Sequence, residues 1–202
     1  MDHTVEKEAK FLIADLQKLE ERVQNLGGVK VQERVFEKNL RFDTASRDLS
    51  QAHQVLRLRQ DNRARLTFKG PADPGSAVSE RTEFEVEVSH LEKTAQILKA
   101  LGYAVITVYE KFRTSYLLMD CEISLDEMPF GSFAEIEGPK EKIIKAAADK
   151  LGLDWEQRSS LSYLRLFAQV KEKRNLSMRD LSFEAFTGLE ILPDTLGLEI
   201  AD

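Results

Sequence analysis

No run of roughly eighteen apolar residues occurs in this 202-residue chain, so the sequence supplies no helix able to cross a membrane. It has one cysteine, Cys121, which excludes an internal disulfide and a cysteine-built zinc cage. Its three histidines, His3, His53 and His90, share no ligand spacing, and surface or capping roles suit them best. The opening residues are charged from Asp2 onward and contain no apolar signal core; with the lone thiol, this points to a reducing cytoplasm. Lysine and arginine are absent after Arg179. Six acids beyond that point, Asp180, Glu184, Glu190, Asp194, Glu199 and Asp202, account for the whole net charge of -6. The preceding residues are neutral overall yet densely charged, a poor match for nonspecific binding of duplex DNA.

Helices and strands alternate along the chain. Leu16, Leu19, Val23 and Leu26 recur at helical spacing, and Gly27-Gly28 supplies a stop. Ser89-His90-Leu91-Glu92 reads as a capping box for a second helix ending at Gly102. Pro139 suits the first turn of a third helix running to Gly152, and a fourth is expected to start near Ser159 or Ser160. Gln54 to Gln60 and Arg63 to Lys69 flank Asp61-Asn62 as a hairpin. Further strands are expected over Arg81 to Val88, Val105 to Leu118, Cys121 to Leu125 and Phe133 to Glu137, with a loop from Gly70 to Ser79. A faint repeat relates Val35-Phe36-Glu37-Lys38 and Arg41 to Val108-Tyr109-Glu110-Lys111 and Arg113, each after a helix and a Leu-Gly pair. Trp155 is expected in the core.

The chemistry lies in the parity of the strands, because successive side chains point to opposite faces. From Arg81 to Val88 one face reads Arg, Glu, Glu, Glu and the other Thr, Phe, Val, Val. Glu6, Glu8 and Lys10 oppose Val5, Ala9 and Phe11; Arg57 and Arg59 oppose Leu56 and Leu58; Arg65 and Lys69 oppose Leu66 and Phe68. Lys111 and Arg113 share a face, and Glu135 and Glu137 flank Ile136. Such a pattern also fits an open sheet with its charged face in water. Two details favour a closed barrel with a polar interior. The charged faces carry little of the Thr, Ser and Gln common on solvated sheets, and they are sorted by strand into acid pairs and base pairs.

Carboxylate pairs are hard oxygen ligands suited to Mg²⁺ or Mn²⁺, and guanidinium pairs match phosphate oxygens through forked hydrogen bonds. Acids alone would suit a bare cation and bases alone a bare anion. Both together suit a metal-polyphosphate complex. Lys69-Gly70-Pro71 lacks the Walker spacing of a phosphate loop, and the bases from Arg57 to Lys69 lack the interleaved aromatics of an RNA surface.

In order, these residues resemble the CYTH superfamily, the triphosphate tunnel metalloenzymes, which include class IV adenylyl cyclases, thiamine triphosphatases and inorganic triphosphatases. The carriers of the resemblance are Glu6-Lys7-Glu8-Ala9-Lys10, Arg57-Leu58-Arg59, Lys69-Gly70-Pro71, and Arg81 with Glu83 and Glu85. Lys111 and Arg113, Asp126, and the stretch Gly131 to Gly138 complete it. The resemblance implies an α+β fold, an antiparallel barrel of about eight strands with helices packed outside. It implies that Glu6, Glu8, Asp126, Glu135 and Glu137 hold Mg²⁺ or Mn²⁺. Lys10, Arg57, Arg59, Lys69, Arg81, Lys111 and Arg113 would grip the triphosphate, with Lys69, Lys111 and Arg113 catalytic. Glu83 and Glu85 would orient the bases or help hold a second metal. The further basic residue that some triphosphatases carry on a late strand has no counterpart here.

A tunnel domain is thus expected over residues 1–174. Residues 175–202 form an acidic extension used for packing or for a homodimer. The run from Leu101-Gly102-Tyr103 to Ile136 looks most like the class IV cyclases, which turn ATP into cyclic AMP and pyrophosphate. Hydrolysis of thiamine triphosphate or inorganic triphosphate is the alternative, and a non-catalytic nucleotide or polyphosphate sensor is a third reading. No nucleic acid or membrane is expected as a partner.

Overall fold

Eight antiparallel strands close on themselves in a computed structural model that describes residues 5–73 and 75–202. Expectations on Met1 to Thr4, His3 included, and on Pro74 lie outside the described residues. The strands are β1 (Val5–Ile13), β2 (Val29–Asp43), β3 (Val55–Gln60), β4 (Ala64–Lys69), β5 (Ser79–Val88), β6 (Ala104–Leu118), β7 (Cys121–Met128) and β8 (Gly131–Glu137). Their order around the barrel is β1-β5-β4-β3-β2-β6-β7-β8, and β8 pairs back onto β1. The helices are α1 (Leu16–Asn25), α2 (Asp48–Gln51), α3 (Leu91–Ala100), α4 (Glu141–Lys150), α5 (Tyr163–Arg174) and α6 (Pro193–Leu196), with a 3₁₀ turn at Trp155–Gln157.

Local chemistry explains most boundaries. Asp15 caps α1 by accepting from the Lys18 N–H at 3.1 Å. The helix stops because Gly27 takes φ +86°, and because a Cβ on Gly28 would sit 2.5 Å from Val23 Cγ1. Met119 and Asp120 both adopt left-handed conformations in the two-residue turn between β6 and β7, which matches the twist of a tight hairpin. Asp61 closes the β3–β4 turn by accepting from Arg63 N at 2.8 Å. Three expectations shift. Ser89 does not cap α3; His90 occupies that position without a side-chain cap. Pro139 precedes α4, whose N-cap is Lys140. The helix expected from Ser159 or Ser160 is α5, which begins at Tyr163 and is capped by the Ser162 side chain, while Trp155 lies in a short separate turn.

The parity of the strands puts apolar side chains outward, where helices cover them. One cluster joins Phe11, Ile123 and Ile136 of the barrel to Leu19 and Val23 of α1 and to Ile144 and Ala147 of α4; Trp155 belongs to it. A second packs Leu98 of α3 on Phe42 and Leu58. A third is on the inward face instead: Leu12, Tyr109, Met128 and Phe133 share parity with the charged residues and pack against α5 and the C-terminal segment. Burying a Leu- or Phe-sized side chain contributes roughly 1.5–3 kcal/mol each, enough to hold charges on the opposite face of the same strands.

Two stretches of strand outrun their neighbours and are finished by other segments. Beyond its pairing with β5, β1 bonds to Ser159, with Ser159 N donating to Lys10 O at 2.7 Å. Beyond β7, β6 bonds to Leu181: Leu181 N reaches Val108 O and Glu110 N reaches Leu181 O, both at 2.9 Å. The acidic C-terminal stretch therefore covers open strand edge on its own chain. Its last residues return to β1, where Ala201 N donates to Leu12 O at 2.9 Å and Asp202 accepts from Ala14 N at 2.7 Å.

Leu181 is fully buried and sits among α5 and barrel side chains. Leu181→Ala is predicted to lower unfolding free energy by about 2–4 kcal/mol in urea denaturation of the full chain. A loss below about 0.5 kcal/mol would mean that the segment does not belong to the core.

Candidate active site

Closing the barrel turns the charged faces of all eight strands toward one lumen. The resulting cavity is about 570 Å³, within the roughly 300–1,000 Å³ typical of ligand sites. Every expected site residue lines it except Asp126. Its side chains are interleaved as ion pairs. Lys69 Nζ lies 2.6 Å from both Glu6 oxygens and 2.8 Å from Glu83. Arg81 approaches Glu6 at 3.5 Å and Glu8 at 3.6 Å. Lys10 bonds Glu135, and Arg59 reaches Glu85 at 2.9 Å. Burial pushes the Glu83 and Glu85 carboxyls up, but Lys69 beside the first and Arg59 beside the second hold both below the usual carboxylate range.

Asp126 shares the inward face of β7 with Glu122 and Ser124 but is fully buried, outside the cavity lining. Its carboxylate accepts from Lys111 Nζ at 2.9 Å, from Arg113 Nε at 2.6 Å and Nη2 at 2.5 Å, and from the Tyr163 hydroxyl at 2.7 Å. Those donors saturate its lone pairs, so here Asp126 positions two cations rather than presenting oxygen to the cavity. Tyr163 sits at the first turn of α5, with Lys10 Nζ 4.5 Å and Lys111 Nζ 5.4 Å from its ring centroid. Ser162, Tyr163 and Leu164 thereby bring helix α5 into the lining of the cavity.

The opposite charge imbalance gathers around Glu137. In register, Glu137 lies opposite Glu8 on β1 and Glu122 on β7. Burial, then the neighbouring Glu6, Glu8 and Glu122, push its carboxyl up to about 8. As placed, no three carboxylate, histidine or cysteine groups among the described residues converge as a ligand cluster. The donor chemistry nevertheless fits a hard divalent cation. All four groups are carboxylates on adjacent strands, and their mutual repulsion is what a bound cation relieves.

Glu37, on β2, balances the cationic wall. It is fully buried and lies opposite Lys111, with Arg59 Nη1 at 3.4 Å. Burial raises its carboxyl, but Lys111, Arg113, Arg59 and Arg57 outweigh that and bring it down to about 2. Sequence reading missed Glu37, Arg41 and Glu122 as tunnel residues, although the alternations Glu37-x-Asn39-x-Arg41 and Glu122-x-Ser124-x-Asp126 carried the signal. Glu37 appeared only in the repeat, and its counterpart Glu110 faces outward, accepting from Phe183 N at 3.3 Å. The repeats pair antiparallel as Glu37 with Lys111 and Lys38 with Glu110, so the equivalent glutamates take opposite faces, while Arg41 and Arg113, offset by one residue, both line the cavity. Nothing in the sequence pointed to Tyr163.

A family model described as the CYTH domain matches residues 4–165. A Methanocaldococcus jannaschii protein named "putative adenylate cyclase" is 33% identical over 135 residues, which span 66% of this chain and 76% of that one. Among solved structures, a Vibrio parahaemolyticus protein of the same description superposes with a TM-score of 0.72 at 22% identity, over 82% of this chain and 98% of that one. The Pyrococcus horikoshii protein PH1012 gives 0.68 at 26% identity, over 79% and 98%. A Hippeastrum protein, HpAC1, described as showing a dominant triphosphatase activity, gives 0.61 at 18% identity, over 81% and 95%.

Glu37 makes a test of the wall possible. Its depressed folded-state value, about 2 against an ordinary 4.5, stabilises the fold fully above about pH 4.5 and fades as pH falls toward 2. The contribution is about 3 kcal/mol. The stability gap between the native chain and Glu37→Gln, measured by urea unfolding, is predicted to shrink from pH 6 to pH 3. A gap independent of pH would show that Glu37 is not ionised in the wall.

Proposed function

The chain belongs to the CYTH domain family, and on that premise we propose that its tunnel binds a metal-complexed triphosphate and breaks one phosphoanhydride bond. One observation carries the reading. The same cavity holds a carboxylate excess around Glu137, beside Glu6, Glu8 and Glu122, and a wall of cations on β3 and β6, including Arg57, Arg59, Lys111 and Arg113. A metal-triphosphate is the ligand whose two charges match both regions at once.

Glu6, Glu8, Glu135 and Glu137 would hold Mg²⁺ or Mn²⁺, which when bound supplies charge neutralisation on phosphate oxygens. Lys10, Arg57, Arg59 and Arg81 orient the phosphate chain. Lys69, Lys111 and Arg113 offset the charge that grows on the leaving phosphate. Asp126 keeps Lys111 and Arg113 aimed, and Tyr163 keeps Asp126 in place. The ion pairs of the lumen are then exchanged rather than newly made: Glu6 gives up Lys69 to the phosphate, and Glu135 gives up Lys10. Such exchange limits the desolvation penalty of binding, because both partners are already held in the lumen.

The lead reaction is cyclisation of ATP. The ribose 3′-hydroxyl attacks the α-phosphorus, the bond to the bridging oxygen breaks, pyrophosphate leaves and the hydroxyl proton is released. The description of the 33% identical relative supports this reading. Hydrolysis, with water attacking the terminal phosphorus, is the second reading. It is favoured by the state of the aromatic rings inside the lumen. Tyr109 is buried, its hydroxyl accepting from Arg57 at 3.1 Å, and the Tyr163 face is covered by Lys10 and Lys111, so neither offers a free surface to a base.

Purified protein with Mg²⁺ or Mn²⁺ is predicted to turn over ATP or tripolyphosphate. Cyclic AMP with pyrophosphate identifies the cyclase, and orthophosphate identifies the hydrolase. Binding without turnover would leave a sensor and defeat both. Glu8→Gln is predicted to lower turnover by about 100-fold or more with the fold intact by circular dichroism. Arg59→Ala is predicted to weaken triphosphate binding by about tenfold, and unchanged affinity would remove it from the clamp.

A further inference from the structure

The inward face of β2 has no counterpart among the motifs that mark the other walls, and it carries a run of unpaired polar atoms. The Nε atoms of Arg57, Arg59, Arg65 and Arg81 are unpaired too, but those side chains face carboxylates. Three successive inward residues, Glu37, Asn39 and Arg41, each carry a buried polar atom with no hydrogen-bond partner: Glu37 Oε2, both amide atoms of Asn39, and Arg41 Nε. Asn39 is fully buried between Arg59 on β3 and Tyr109 on β6. Buried polar atoms are almost always paired, so a run of three on one strand face calls for an explanation.

Arg41 is the informative member. The other tunnel cations each face a carboxylate: Lys10 faces Glu135, Lys69 faces Glu6 and Glu83, Arg81 faces Glu6 and Glu8, and Arg59 faces Glu85. Lys111 and Arg113 face Asp126, Arg65 faces Asp61, and Arg57 lies 3.7 Å from Glu85. Arg41 lines the cavity and makes no ion pair among the described residues. The acid closest to it in sequence, Asp43, is turned the other way, accepting from Thr44 N at 2.8 Å and from Leu49 N and Ser50 N at 3.0 Å. Arg57 stands opposite Arg41 in register. Burial, with Arg57 and Arg81 close by, pulls the Arg41 guanidinium below the ordinary arginine value, and the opposing pull of Tyr109 and Asp43 does not offset this. A guanidinium held in a lumen beside other guanidiniums is destabilising unless an anion joins them.

Resting on the triphosphate reading of the tunnel, we infer that Arg41 is a substrate-binding residue that takes a phosphate oxygen of the polyphosphate chain, with β2 as a further wall of the site. The forked guanidinium suits a tetrahedral phosphate, and opposite Arg57 it forms a two-arginine clamp. Asn39, beside it on the same face, has both a donor and an acceptor left to complete the contact.

Calorimetric binding of tripolyphosphate with Mg²⁺, together with thermal melting without ligand, tests this on the full chain. Arg41→Met is expected to weaken tripolyphosphate binding by about 10- to 100-fold. Its ligand-free Tm is expected to equal or exceed that of the unsubstituted chain, by up to about 2–4 °C, because a poorly compensated cation is removed. An affinity within about threefold of the unsubstituted chain overturns the inference, as does a lower Tm, which would make Arg41 a structural residue. A loss confined to ATP, with tripolyphosphate unaffected, assigns Arg41 to the nucleoside and overturns it too. Arg59→Ala separates the two levels of the argument. If it loses binding while Arg41→Met keeps it, only the role of Arg41 falls; if the unsubstituted chain binds no triphosphate, the tunnel reading falls with it.

Discussion

Charge compensation inside a closed barrel is the constraint on which the rest of this protein depends. Two opposite charges about 4 Å apart attract by roughly 4 kcal/mol at an effective dielectric constant near 20, while an unpaired charge there costs several kcal/mol. Lining a lumen with Glu, Lys and Arg is therefore feasible only if most charges find an opposite charge within reach. Glu6 and Lys69 meet across the lumen, Lys10 bonds Glu135, and Glu37 stands among Arg57, Arg59, Lys111 and Arg113. The apolar faces of the same strands, packed under α1, α3 and α4, hold this arrangement in place, and α5 packs on inward side chains such as Phe133.

Compensation is uneven, and the unevenness is what gives the lumen a chemical character. Around Glu137 the acids outnumber their partners, so that carboxyl is pushed up to about 8. Along β2, Arg41 and Asn39 lack partners. Elsewhere the pairs are tight, most of all at Asp126, where four hydrogen bonds fix Lys111, Arg113 and Tyr163 together. The lumen thus combines one rigid, saturated cluster with two regions whose polar groups are poorly compensated. The C-terminal stretch contributes to the rigid part: Leu181 completes the edge of β6 beside Tyr109, and α5 carries Tyr163 to Asp126.

Much of this was legible in the sequence, because strand parity is local. The alternation in Glu6-Lys7-Glu8-Ala9-Lys10 or in Arg57-Leu58-Arg59 declares which side chains share a face without reference to any other strand. Boundaries set by backbone chemistry were legible as well, as at Gly27-Gly28. Where several local signals compete, the reading slipped: Ser89 resembles a cap, yet His90 occupies that position. The repeat was legible as sequence but misleading as chemistry, since antiparallel pairing turned Glu37 inward and its counterpart Glu110 outward.

By itself, then, the sequence determined which faces are charged, which are apolar, and that carboxylates and bases are sorted by strand. It could not determine which charge meets which. Lys10 and Glu135 are 125 residues apart, and Lys69 and Glu6 are 63 apart. Only closure of the barrel decides that Asp126 is buried and saturated, that Glu122 joins Glu8 and Glu137, and that Arg41 is left without an ion pair. Side-chain direction follows from the two-residue period of a strand, whereas charge compensation depends on distances through space that are set by register and closure.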